Sequence, residues 1–146
     1  IARTHSEKNK LKINYINSSP EKLNENKKFD VVLNLEIVEH VEDIDLYFKS
    51  CAKLLKKNGI MFTATLNRTF ESYIKAIIGA EYILRWLPIG THDWNKFIKP
   101  EEMQKKLSDK KFLTNNIKGL EFNPVFNKWK QSENLSVNYI ICSFKN

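Results

Sequence analysis

The chain has 146 residues and a formal net charge of +7, with an isoelectric point near 9.3. That length suits one domain with a buried core, and a hydrophobic share of 42% excludes disorder along its whole length. No uninterrupted apolar run reaches the roughly 18 residues of a transmembrane helix, and no charged segment followed by an apolar one reads as a secretory signal.

Cys51 and Cys142 are far apart and form neither a disulfide framework nor a C-x-x-C motif, which fits a reducing compartment. Of 24 cationic residues only Arg3, Arg68 and Arg85 are arginine. Arginine is the usual reader of phosphates and guanine edges, so a nucleic-acid partner is not expected. Lys, Ile and Asn, all with AT-rich codons, supply 52 of the 146 residues, so the lysines read as a solvated surface.

Ile1–Lys10 reads as the tail of a helix and Leu11–Asn17 as a short strand. Ser18–Glu21 is a turn or helix start, with Pro20 in the first turn. Phe29–Leu35 (FDVVLNL) is a nearly continuous apolar run, as in a strand buried on both faces of a parallel sheet. Asp43–Lys57 has apolar residues at helical spacing, lysines in its last turn, and Asn58-Gly59 as its stop. Ile60–Leu66 is the next strand, completing a βαβ unit and implying a parallel pair.

Thr69–Leu87 is a second helical stretch with a break near Gly79. Pro88–Trp94 is a loop, and Pro100–Lys110 a short helix. Phe112–Phe122, bent at Gly119, and Val137–Phe144 read as an antiparallel strand pair joined by Asn123–Ser136. The first residue is not Met, and no central strand precedes the first helix. The expectation is an N-terminally shortened chain; the other reading is a short leading helix of a complete small domain.

In open α/β sheets ligands sit at the carboxyl ends of the strands. Leu35-Glu36-Ile37-Val38-Glu39-His40 follows one strand there, and Thr65-Leu66-Asn67-Arg68 ends another. If residues 36–40 form one helical turn, Glu36, Glu39 and His40 share a face at i, i+3 and i+4. Two carboxylates and an imidazole suit a divalent cation; the other reading is acids solvated at a strand-to-helix joint. His92 with Asp93 reads as a base and its orienter, or as a loop hydrogen bond. His5 reads as solvated and Cys51 as core. The four glycines (59, 79, 90 and 119) are too scattered for a phosphate-cradling loop.

FDVVLNLEIVEHVED is similar to the fourth strand and following loop of class I S-adenosylmethionine-dependent methyltransferases. TLNRT and GAEYILRWLPIGTHDWNKFIKPEE are more particular. They resemble the ubiquinone biosynthesis O-methyltransferases of bacteria and mitochondria, as do KGLEFNPVFNKWK and VNYIICSFKN. The resemblance covers essentially all 146 residues. It implies an α/β, Rossmann-like methyltransferase sheet lacking its first two strands, with residues 1–146 forming the C-terminal part of a single domain.

The implied activity is methyl transfer from S-adenosylmethionine to a phenolic oxygen of a polyprenylated catechol intermediate, in the cytoplasm at the inner face of the membrane. By the same resemblance Leu35 contacts the cofactor, and Glu36, Glu39 and His40 match positions that bind Mg²⁺. Without a metal, His40 is the candidate general base. The family's glycine-rich cofactor loop and its acidic residue after the second strand have no counterpart among these residues, so the chain alone is expected to be inactive. The alternative is a non-catalytic remnant or the partner subunit of a split methyltransferase. Tyr73–Gly90, apolar but interrupted by Lys75, Glu81 and Arg85, reads either as a packed core helix or as a lid that dips into a membrane surface.

Overall fold

The computed structural model describes residues 1–24, 26–123 and 126–146. Five strands form one sheet: β1 Phe29–Leu35, β2 Leu55–Leu66, β3 Phe112–Asn123, β4 Lys128–Ser132 and β5 Asn138–Lys145. Their spatial order is β1-β2-β5-β3-β4. β1 and β2 are parallel, with Leu35 opposite Ala64; every other neighbouring pair is antiparallel. The helices are α1 Ala2–Lys8, α2 Ile44–Leu54, α3 Phe70–Ser72 and α4 Pro100–Asp109. α3 runs directly into a wider helix, Tyr73–Ile83, wound with i→i+5 bonds.

α2 and α4 cover one sheet face. Phe48 and Cys51 of α2 and Met103 and Leu107 of α4 meet Met61, Tyr139 and Ile141 in one buried cluster. Polar groups in this core are paired: Tyr47 donates its hydroxyl to Asn34 Oδ1 at 2.9 Å, and Tyr139 donates to the Ile98 carbonyl at 2.8 Å. Asp43 caps α2 by accepting from the Leu46 N–H, worth about 1 kcal/mol at a helix start. Cys51 is core as expected, and burial pushes its thiol up to about 12, so it is inert at neutral pH.

Five expectations change. Leu11–Asn17 is not a strand: its backbone bonds to other elements go to α1 and not to the open edge of β1. It folds back on α1 instead, through Leu11 N–H to the Ser6 carbonyl and Arg3 Nη2 to the Tyr15 carbonyl. β1 has the expected bounds but is not buried on both faces. Val31, Leu33 and Leu35 are about half exposed, because no helix among the described residues lies over that side.

The third change is at the end of α2, which stops at Leu54 rather than Lys57. Leu55 is already extended and pairs with Phe29. Lys145, from β5, supplies the ammonium that meets the helix's last carbonyls, donating to Ala52 and Leu55 at 2.6 and 2.9 Å. Asn58-Gly59 therefore lies inside β2 at a register shift. A Cβ on Gly59 would lie 2.9 Å from the Leu55 side chain and 3.2 Å from the Asp30 carbonyl.

Fourth, β3 is continuous through Gly119. There it leaves β5 and takes up β4, whose existence the sequence did not reveal. A Cβ at Gly119 would sit 1.8 Å from the Asn134 carbonyl oxygen. Nor does the second helical stretch break at Gly79, which lies within the wide helix.

Candidate functional site

The parallel pair β1–β2 ends at Leu35 and Leu66, and the polar clusters gather there. Glu36 N–H still reaches the Ala64 carbonyl at 3.0 Å, but its φ of 52° turns the chain sharply out of the strand. A non-glycine residue in this region is strained. The expected single helical turn over 36–40 is thereby reduced to a 3₁₀ turn, Val38–His40.

Glu39 is buried, and its Oε2 accepts from Thr65 Oγ1 at 2.9 Å, which fastens the turn to β2. Its Oε1 is buried with no hydrogen-bond partner. Glu36 is exposed over part of its surface, yet its carboxyl crowds against Glu39. Lost hydration first, then the Glu39 charge, push the Glu36 carboxyl up to about 7. Such a pair is suited to sharing a proton or a cation.

His40 does not join that pair. Its ring lies alongside His92, with centroids 6.3 Å apart. Among the described residues no group of three or more His, Cys, Asp or Glu side chains is arranged to hold a metal ion. Glu36, Glu39 and His40 are thus split into a carboxyl pair and an imidazole. Two carboxylates do fit Mg²⁺, which commonly takes one or two protein carboxylates and completes its shell with water or substrate oxygens. The unpartnered Glu39 Oε1 is the donor such an ion lacks.

The partner of His92 is Glu81, not Asp93. Asp93 caps the 3₁₀ turn Trp94–Lys96 by accepting from Asn95 N–H. Glu81, on the wide helix, is buried to 1% exposure. Its Oε1 accepts from His92 Nδ1 at 2.9 Å and His92 N–H at 3.0 Å; its Oε2 accepts from Gly90 N–H at 2.7 Å. Burial alone would raise the Glu81 carboxyl, but the Gly90 N–H, the His92 ring and the His92 N–H together hold it below the usual carboxylate range. An ionised carboxylate only accepts, so Nδ1 donates the hydrogen of this bond and Nε2 is the ring nitrogen not held by Glu81. Only the charge of Glu81 within an apolar helix hinted at this pair in the sequence.

Leu35, the expected cofactor contact, is half exposed at the carboxyl end of β1. Residues 82–90, between the wide helix and His92, are all exposed. Trp86 is 71% exposed and Ile83 72%, so this segment is not a packed core helix. Its base is secured by Thr69, whose hydroxyl accepts from Ser72 N–H, and by Trp94, whose indole donates to the Thr69 carbonyl.

Known proteins are similar to this chain in sequence and in fold. A methyltransferase domain family model matches residues 1–63. The ubiquinone biosynthesis O-methyltransferase of Pelagibacter ubique is 56% identical over all 146 residues, and that of Bartonella bacilliformis is 48% identical over 97% of this chain. This chain is a homologue of the ubiquinone biosynthesis O-methyltransferases. It spans about 60% of the length of the relatives it matches: 61% of the first and 57% of the second.

The fold is that of the class I methyltransferases. A Thermotoga maritima S-adenosylmethionine-dependent methyltransferase, a possible histamine N-methyltransferase, superimposes on 99% of the chain with a TM-score of 0.64 at 18% identity, and the chain covers 69% of it. Magnesium protoporphyrin IX methyltransferase from Synechocystis, with bound S-adenosylhomocysteine, gives 0.62 at 15% identity, with 99% and 57% covered. In this homologue the Glu36–Glu39 and Glu81–His92–His40 groups occupy the carboxyl end of the parallel strands.

Proposed function

We propose that this chain carries the acceptor side of an O-methyltransferase active site, and that the whole enzyme methylates a phenolic oxygen of a polyprenylated catechol in ubiquinone biosynthesis. The observation that carries this reading is identity of 56% to one such enzyme along the entire chain. The Glu36–Glu39 and His92–His40 groups give it a chemistry.

S-adenosylmethionine, bound beside Leu35, would supply the electrophilic methyl group, and Mg²⁺ held by Glu36 and Glu39 would polarise the catechol oxygens. The chain's own residues do the remaining work. A phenol, with a pKa near ~10, must lose its proton to become a good nucleophile. His92 Nε2, fixed by Glu81 through Nδ1, is set to accept that proton, and His40 is beside it to pass the charge on. The exposed segment 82–90 excludes water when it closes over the acceptor. His40 is the base in the simplest version; the Glu81 bond makes His92 the better-oriented one.

The chain by itself we expect to be inactive. Val31, Leu33 and Leu35 face solvent on an unpaired edge strand, which favours a missing companion piece, whether covalently linked or separately made. We infer further that the enzyme works peripherally at the cytoplasmic face of the membrane, where a prenylated substrate resides.

The test is a chimera in which this chain replaces the corresponding part of the Pelagibacter relative, assayed with labelled S-adenosylmethionine and a polyprenylated catechol. Methyl transfer is the expected result. A folded, cofactor-binding chimera that transfers nothing to the catechol overturns the reading and favours a non-catalytic remnant.

A further inference from the structure

The hairpin of β3 and β4 carries aromatic rings that the fold leaves uncovered. Phe122 and Trp129 are opposite each other in its register, with ring centroids 5.2 Å apart. Strand alternation puts Leu120 on the same face. Phe126 lies in the connection between the two strands. Trp129 is 65% exposed, Phe126 71% and Phe122 40%. Exposed rings scattered singly are ordinary, but contiguous ones mark a contact surface.

A second segment, remote in sequence, presents a ring on the same side. Trp86, from the exposed segment 82–90, lines one hollow of about 480 Å³ together with Leu120, Phe122 and Trp129. Asn138 fixes the hairpin in that place: its side chain accepts from the Leu120 N–H at 2.8 Å and donates to the Leu120 carbonyl at 3.1 Å. The hollow is of mixed character, since Asn134, Ser136 and Asn138 also line it.

The charges around these rings do not balance. Lys75 is paired with Glu71, Lys118 with Glu133 and Lys130 with Glu121. Glu81 is buried and engaged by His92. Arg85 and Lys128 are exposed and have no carboxylate partner among the described residues. The surplus on this side is therefore positive.

We propose that the β3–β4 hairpin is a lipid contact in its own right, which places Phe126 and Trp129 in the headgroup region of an anionic bilayer beside segment 82–90. The inference rests on the peripheral membrane reading given above and adds to it a surface from another part of the chain. Charge selects the occupant, because an anionic surface supplies the counter-charge that Arg85 and Lys128 lack. The mixed lining points the same way. A fluid headgroup layer accepts rings from two segments with polar groups between them, whereas a single apolar ligand would leave those polar groups dry. Tryptophan in particular favours the boundary between water and hydrocarbon. Two such contacts hold a protein at a surface where one is readily reversed.

The test uses the purified chain, whose tryptophans are Trp86, Trp94 and Trp129. Trp86→Phe with Trp94→Phe leaves Trp129 as the sole indole, and Trp94→Phe with Trp129→Phe leaves Trp86. Each is mixed with vesicles of phosphatidylglycerol and phosphatidylcholine, with and without brominated acyl chains. Trp129 fluorescence should shift to the blue and be quenched by the brominated lipid. In the otherwise wild-type chain, Trp129→Ala and Phe126→Ser should each weaken vesicle binding about tenfold. Both side chains are exposed, so their loss spares the core, and circular dichroism confirms the fold. Lys128→Gln should weaken binding at low salt and have little effect at high salt. Unchanged binding by folded Trp129→Ala and Phe126→Ser overturns the proposal. So does an unquenched Trp129 on vesicle-bound chain; quenching of Trp86 in the companion variant would then leave segment 82–90 as the lipid contact and fail the hairpin alone. A wild-type chain that binds no anionic vesicle overturns the proposal together with the membrane reading on which it rests.

Discussion

Glu81 Oε1 lies 2.9 Å from His92 Nδ1, joining the wide helix to the far end of an exposed loop. The same carboxylate takes the N–H groups of Gly90 and His92. One buried charge thus satisfies three donors and sets the orientation of an imidazole that would otherwise rotate freely. Removing it leaves those donors without an acceptor. Glu81→Ala should cost on the order of 1–3 kcal/mol, and Glu81→Gln, which keeps one acceptor oxygen, clearly less. Urea denaturation measures both. Equal midpoints for wild type and Glu81→Ala would mean that the loop is held by other contacts.

Acid should release the same loop. The Glu81 carboxyl is held below its usual range when folded, so its stabilising contribution is complete above the unfolded carboxylate pKa and is lost as pH falls through the folded one. Hydrogen exchange at the Gly90 and His92 amides, corrected for intrinsic rates, should therefore accelerate below about pH 4 in wild type. In Glu81→Gln those amides should exchange faster at neutral pH and lack the acid step.

The bounds of β1 and α4, and the carboxyl end of β2, were legible because their apolar residues follow one period and their ends carry Pro, Asp or a change of pattern. The Leu11–Asn17 segment misled because alternation describes what a strand needs, not whether a neighbour exists to pair with it. β4 was invisible for the opposite reason: KWKQS is exposed along nearly its whole length, so no burial pattern marks it, and only its pairing with β3 reveals it. At the site, Glu36 and Glu39 were legible as a pair of acids. The sign of the Glu36 backbone angle was not, and it is that turn which parts His40 from them. A contact such as Glu81–His92, made across a loop, has no periodic trace at all.

The carboxyl pair makes a prediction about cations. In a full-length protein carrying these residues, Glu36→Ala or Glu39→Ala should lower methyl transfer and flatten its dependence on Mg²⁺. Glu39→Ala should also destabilise the protein, since Thr65 Oγ1 loses its acceptor, by about 1 kcal/mol. Glu36→Ala removes a crowded, poorly hydrated carboxyl and should not destabilise, which makes it the cleaner probe. Activity that is unchanged by excess chelator in wild type and both variants would leave the histidines as the acceptor's only activators.

Titration of this chain with S-adenosylmethionine should show no affinity in the micromolar range. Its residues include no glycine-rich turn through which backbone can approach the cofactor, and the proposed contact Leu35 would offer one wall only. Calorimetry on the purified chain is the measurement, and micromolar binding would show that the strand ends alone suffice.

The exposed segment should bring the intact enzyme to anionic bilayers. Ile83, Leu84, Trp86, Leu87 and Ile89 are all exposed, and no helix among the described residues is long and apolar enough to cross a membrane. Each large side chain that inserts contributes on the order of 1.5–3 kcal/mol. Charge contributes less here than composition suggests. Lys75 is paired with Glu71 at 2.6 Å, leaving Arg85 as the cation of this segment best placed to meet lipid, worth about 1 kcal/mol near an anionic surface. Binding should accordingly weaken with salt without being abolished, because the apolar contribution is unscreened. Flotation of wild type beside a folded Trp86→Glu, Leu87→Glu variant with anionic liposomes is the measurement. Wild type should float and the variant should sink. If both float, another surface makes the contact; if neither floats even at low salt, residues 83–89 close over the acceptor without touching lipid, and the prenylated substrate must leave the bilayer before it is bound.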